Sequence, residues 1–169
     1  MPKSRNPPLS DEYAYRHTPV VVSMVVALML TMAPLPDWLD PFRPNWVALT
    51  LIYWSISYPH SYSIGTAWMA GLVLDVAQGT LLGQHALALS IVSYVTLKFY
   101  LQLRQFPLLQ LMATVFAILA LYQFILFWVN GVAGINAPIN AYWGPVISGT
   151  LIWPLLSAVL VGVRQRVRR

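Results

Sequence analysis

The chain has 169 residues, 58% of them hydrophobic and 9% charged, with a mean hydropathy of +0.63 and a net charge of +5. Soluble domains carry about 25% charged residues, so this composition indicates a membrane protein and leaves no stretch between apolar tracts for a separate soluble domain. The absence of cysteine excludes disulfides, thiolate metal sites and cysteine nucleophiles, and the three histidines show no metal-ligand spacing.

The predicted elements, in chain order, are six apolar spans between polar ends. A cytoplasmic arm, 1–17, precedes the first span, 18–35, which is long enough to cross a hydrocarbon core about 30 Å thick. The arm, the Pro34-Leu35-Pro36-Asp37 exit and the lack of a small-x-small cleavage pattern mark this tract as a retained span, not a signal peptide. The second span, 46–58, is short for a full crossing at about 1.5 Å per residue; it extends into Arg43-Pro44-Asn45, crosses a thinned region or is re-entrant. The remaining spans are 64–82, 86–103, 108–130 and 143–163, followed by a basic tail, 164–169. The predicted fold is all-α, a polytopic six-transmembrane-helix bundle.

Charge placement supports that count. With six spans and a cytoplasmic N-terminus, nine of the ten Lys and Arg residues fall on the cytoplasmic side, leaving only Arg43 outside, beside Asp37 and Asp40. Without the second span, Lys98, Arg104 and the terminal arginines would lie outside. The positive charge therefore reads as a topology and lipid-surface signal, not a nucleic-acid one.

Asp75 is the one acid inside the apolar tracts. At helical spacing, Ala67, Gly71, Asp75, Gly79 and Gly83 form a stripe of small residues with the carboxyl in its middle, a face suited to close helix packing. An acid at bilayer depth costs at least about 2.5 kcal/mol and needs a buried partner. Gln78, His85, Gln123, Tyr122 and Tyr94 are the candidates. A structural polar clasp and a role in binding a partner or small ligand both remain open for Asp75. A proton relay is disfavoured, because no second ionisable group lies in series with it.

Around this centre, Gly79 to Leu87 reads as a compact helical hairpin turn in which His85 caps the fourth helix or reaches the headgroups. The link Tyr58-Pro59-His60-Ser61-Tyr62-Ser63 is its inner counterpart, and Val132 to Ala141 is an uncharged outer loop. The proline-rich outer loop from Leu35 to Trp46 forms a stiff periplasmic rim, with Trp46 in the interfacial belt and Arg43 set to pair with Asp37 or Asp40 or with a phosphate headgroup. Trp153-Pro154, halfway down the sixth span, predicts a kink, with Ser148, Gly149 and Thr150 near the carbonyl that proline frees. No nucleophile–base pair, phosphate-cradling loop or acid cluster appears, so the chain is expected not to be an enzyme and to need no cofactor.

The order of several segments carries a resemblance. Arg43-Pro44-Asn45-Trp46, Ile52-Tyr53-Trp54, Tyr58-Pro59-His60, Thr66-Ala67-Trp68, Gly71-Leu72-Val73-Leu74-Asp75, Gly79 to Leu87, Arg104-Gln105-Phe106-Pro107 and Trp153-Pro154 together resemble the MreD family of rod shape-determining inner-membrane proteins, from about Pro36 onward. The resemblance implies a multi-pass protein of the bacterial inner membrane with both termini cytoplasmic. It also implies a non-enzymatic scaffold of the elongasome, the complex that inserts peptidoglycan along the side wall.

MreC would be its direct partner. RodA, a class B penicillin-binding transpeptidase, MreB and RodZ would be further members of the complex, and self-association into a homo-oligomer is kept open. The family is also similar in fold to the S components of energy-coupling-factor transporters. A small-molecule or lipid-binding transport subunit of that type is therefore the alternative reading. The resemblance assigns no chemistry to individual residues. Gly71, Asp75, Gln78, Gly79, Gly83 and His85 are retained as packing or partner-binding candidates, Arg43 and Trp46 as rim candidates, and Trp153 and Pro154 as the kink.

Overall fold

The apolar tracts fold as helices because their backbone polar groups must be satisfied within each segment once water is excluded. The computed structural model describes residues 9–59, 64–135 and 139–167, and side chains within 18–59, 64–135 and 142–165. Residues 1–8 of the arm, the His60–Ser63 link, Asn136–Pro138 of the outer loop and the last two arginines lie outside the described residues.

Among the described residues there are six α-helices and no strand. They are α1 (Leu9–Met32), α2 (Trp46–Ser57), α3 (Ile64–Gln78), α4 (Gln84–Gln105), α5 (Leu108–Val132) and α6 (Ile139–Val167), with one 3-10 turn at Asp40–Phe42. Three of them, α4, α5 and the Tyr142–Gln165 part of α6, are long and apolar enough to cross a membrane; the apolar stretches Thr18–Met32 and Ile64–Gln78 are shorter.

Local chemistry sets the ends. The first tract stops being helical at Met32, just before Pro34 and Pro36, although 18–35 was expected. The third stops at Gln78 rather than 82, because Gly79 turns to a φ of +64°. α4 stops ahead of Pro107, which caps the start of α5 in an extended conformation.

α2 lies at the centre. Every residue from Val47 to Ser55 is buried, and the helix packs against α1, α4 and α6. That enclosure explains why the second tract has no polar face. At 12 residues α2 spans only about 18 Å. Its C-terminal end is tied by the Trp54 indole, which donates to the Ser23 hydroxyl of α1 at 2.8 Å, and by Tyr58, whose ring stacks on Trp54. The Arg164 guanidinium of α6 lies 5.3 Å from the Tyr58 ring centroid and brings the end of α6 to the same place.

The outward faces of the surrounding helices carry exposed Val21, Met29, Val73, Phe124 and Leu155, as lipid contact requires. Lipid tails are as apolar as these side chains, so close packing and interhelical hydrogen bonds hold the bundle together. α6 shows such packing at Gly149, where a Cβ would press on Leu119 of α5, and at Gly144, whose Cα abuts the Pro41 carbonyl of the 3-10 turn. α6 runs through Pro154 without a break, with Trp153 buried beside it. The Ser148 and Thr150 hydroxyls do not reach the carbonyl freed by Pro154. They bond instead to the carbonyls of Gly144 and Val146, one turn earlier.

Candidate functional site

The site is the turn between α3 and α4. The first N–H groups of any helix lack an intrahelical partner and are usually satisfied by a Ser, Thr, Asp or Asn side chain at the cap. The cap of α4 is Gly83, at φ +97°, which has no side chain to offer. Asp75, in the last turn of α3, supplies the missing acceptor from across the hairpin. Its Oδ1 accepts the His85 backbone N–H at 2.8 Å, and its Oδ2 accepts the Gly83 N–H at 2.8 Å and the Ala86 N–H at 3.4 Å. The carboxylate thus sits at the positive end of the α4 dipole.

Two side chains complete the shell. The Thr80 hydroxyl donates to Oδ1 at 3.1 Å, and the His85 Nδ1 lies 2.8 Å from the same oxygen and 3.2 Å from the Thr80 hydroxyl. An imidazole nitrogen facing a carboxylate carries the proton, which leaves Nε2 as the free nitrogen in the neutral ring. Asp75 is 1% exposed, and backbone donors, a hydroxyl and an imidazole surround its carboxylate. A buried carboxylate is tolerable only when paired and bonded in this way.

The placement alters two expectations. Asp75 lies three residues from the end of α3, not at the middle of a longer span. The stripe of small residues is real only as far as the helix. Ala67, Gly71 and Asp75 are buried, with Gly71 against the Ala86 backbone, whereas Gly79 and Gly83 have left the helix and contact nothing on the side where a Cβ would stand. The four-residue spacing loses its meaning once Gly79 reverses the chain.

Of the five candidate partners, His85 is the one that reaches Asp75. Gln78 is exposed, Tyr94 is exposed, and Gln123 makes no hydrogen bond to Asp75. Tyr122 is buried with its ring centroid 6.2 Å from that of His85. Gln78, His85 and Tyr122, with Thr31 and Asn45, instead line a cavity of about 50 Å³. That is room for a water molecule or two.

The rim gathers around Arg43. Its guanidinium donates to the Thr31 carbonyl at the end of α1 and pairs with Asp40 at 2.9 Å. Of the two acids expected near it, Asp40 is the partner. Trp46, half-buried, opens α2 and lines a groove between α1 and α6. Sequence reasoning missed Thr80, Gly144 and the burial of Gln84. The one local hint was that a Thr five residues after a lone acid, followed by Gly and His, can close a capped turn.

Comparison with known proteins adds a second line of evidence. No solved structure matches the chain. It is 32% identical over 147 residues to the rod shape-determining protein MreD of Haemophilus influenzae, an alignment covering 85% of this chain and 89% of that protein. The family model described as rod shape-determining protein MreD matches residues 15–162. With nearly the whole helical bundle inside that match, the chain belongs to the MreD family.

Proposed function

We propose that the chain is a non-enzymatic membrane scaffold of the elongasome. In this reading it crosses the inner membrane six times with both termini cytoplasmic and binds MreC. It thereby helps hold RodA, a class B penicillin-binding transpeptidase, MreB and RodZ in one assembly for lateral peptidoglycan synthesis and rod shape. The observation that carries the reading is the family match over residues 15–162.

Two features support it. The one carboxylate buried among the described residues is fully engaged in joining α3 to α4, so the polar chemistry of this site goes into architecture. The short α2 is enclosed by α1, α4 and α6, and an enclosed helix need not itself match the bilayer thickness for its ends to be sheltered by protein. The transport-subunit alternative has less support. Small-molecule sites occupy about 300–1,000 Å³ and carry several convergent polar groups. The polar cavity beside His85 is about 50 Å³, and the clefts of about 290–370 Å³ elsewhere on the bundle are lined almost wholly by apolar side chains.

The test is complementation and co-purification. Expressed in Gram-negative cells lacking their own MreD, the wild-type chain is expected to restore rods and to retain MreC through detergent extraction. The Asp75→Leu chain is expected to round the cells or lose MreC. A wild-type chain that restores shape without ever retaining MreC would overturn the binding role. Normal shape, level and retention with Asp75→Leu would remove Asp75 from it.

A further inference from the structure

The outward surface between α5 and α6 contains a polar group that no described residue satisfies. Gln123 is 7% exposed, and its amide has no hydrogen-bond partner among the described residues. It lines a cleft of about 310 Å³ walled by Ala120, Phe124, Phe127, Tyr142 and Trp143. Gln123 lies nine residues before the end of α5, about 14 Å along the helix. With α5 crossing the bilayer, as the scaffold reading has it, that depth falls inside the hydrocarbon region, where no water is at hand and an unpaired amide is costly.

The walls are held in place. The Asn130 amide donates to the Tyr142 hydroxyl at 3.1 Å, joining α5 to α6 at the mouth of the cleft, and the Phe127 ring meets Tyr142 edge-on at 5.3 Å. Phe124, Phe127 and Trp143 are each more than half exposed, so a large apolar rim surrounds the amide.

We propose that this cleft receives one membrane-spanning helix of a partner protein, which places a hydrogen-bonding side chain against Gln123. The inference rests on the scaffold reading and names the face it uses. A lipid chain would fill the apolar walls but leave the amide unpaired. A second copy would set the same concave patch against itself, because a two-fold contact pairs identical surfaces, and two facing hollows fill neither. A single helix with one Ser, Thr, Asn or Gln among apolar residues meets both demands, since polar side chains join helices across membranes.

The experiment places a benzophenone amino acid at Phe124, Phe127 or Trp143 in the full chain in native membranes of rod-shaped cells, with reference positions at Val73 and Val76, both exposed on α3. Cleft positions are expected to give adducts with a different membrane protein. Mass spectrometry should map the contact to a spanning segment that carries a polar side chain, and the reference positions should give none. Gln123→Leu is expected to lower the adduct yield about threefold to tenfold at unchanged chain level, with Gln123→Asn less affected. Should Gln123→Leu reduce the chain level, the wild-type adduct map and the Gln123→Asn yield decide.

Adducts with lipid alone or with a second copy would overturn the proposal. So would equal adducts at the reference positions, or a yield insensitive to Gln123→Leu. If MreC is retained while adducts form only at the reference positions, this placement falls and the scaffold stands. If no position gives a partner and none is retained, both fall.

Discussion

Gly71 of α3 lies against the backbone of Ala86 in α4, so close that a Cβ at position 71 would overlap the Ala86 Cα and amide nitrogen and the His85 carbonyl carbon. Backbone has no rotamer with which to yield. This contact brings the start of α4 close enough for the Asp75 carboxylate to reach its N–H groups. Gly71→Ala is therefore expected to cost about 1–3 kcal/mol, as overpacking does. The check is thermal unfolding in detergent beside Gly162→Ala on α6, where a Cβ meets nothing and the change should stay within about 0.5 kcal/mol.

Asp75→Leu leaves the Gly83, His85 and Ala86 N–H groups, the Thr80 hydroxyl and the His85 ring without their acceptor. Each buried orphan costs about 1–3 kcal/mol, so a loss of about 3 kcal/mol or more is expected. Asp75→Asn keeps the shape but turns an NH2 group toward donors, and should fall between wild type and Asp75→Leu. Hydrogen exchange would localise the effect, with the amides of His85 and Ala86 exchanging faster and those in the middle of α5 unchanged.

Gly83 holds a φ of +97°, a conformation that strains any residue with a Cβ. Gly83→Ala has space for the methyl group yet should still cost about 1–2 kcal/mol through the backbone alone. If unfolding temperatures of Gly83→Ala and wild type coincide, the strained cap is not needed to start α4.

Arg43 and Asp40 form an ion pair, but their contributions should differ. Asp40 is 62% exposed at its side chain, so Asp40→Ala should cost less than about 1 kcal/mol. Arg43 also bonds the Thr31 carbonyl at the end of α1, and Arg43→Ala should cost about 1.5–3 kcal/mol. Arg43→Lys should recover only part of this, because an ammonium cannot serve both partners with the geometry of a guanidinium. Equal losses for Asp40→Ala and Arg43→Ala in the same unfolding assay would show that the Thr31 contact contributes nothing.

The chain has no cysteine, so single cysteines can report topology directly. Under six crossings, cysteines at Trp38 and Gly134 should react with an impermeant maleimide in intact spheroplasts, and cysteines at Gln105 and Gln165 only after lysis. Labelling of position 105 from outside would invert the assignment and remove the six-crossing arrangement.

How far the sequence could be read depends on the range of each interaction. The helices were legible because twenty or so apolar residues in lipid can satisfy their backbone in one way, and because Pro34, Pro36 and Pro107 mark boundaries locally. Asp75 stood out because an acid among Leu, Val and Ala is anomalous without any knowledge of neighbours, and His85 was already among its possible partners. The stripe was read too far. Spacing is a property of a continuing helix, and only the backbone shows that Gly79 ends it.

Composition and periodicity by themselves thus determined an all-helical membrane chain with one anomalous carboxylate and a tight turn beside it. The tertiary structure alone decided that this carboxylate caps the next helix, that Arg43 reaches back to Thr31, that Gly144 admits the 3-10 turn, and that Gln123 faces an open cleft. The physical reason is that hydrophobicity and backbone preference act residue by residue. A hydrogen bond or close contact between helices depends on which faces meet, and that is settled only when the whole bundle packs.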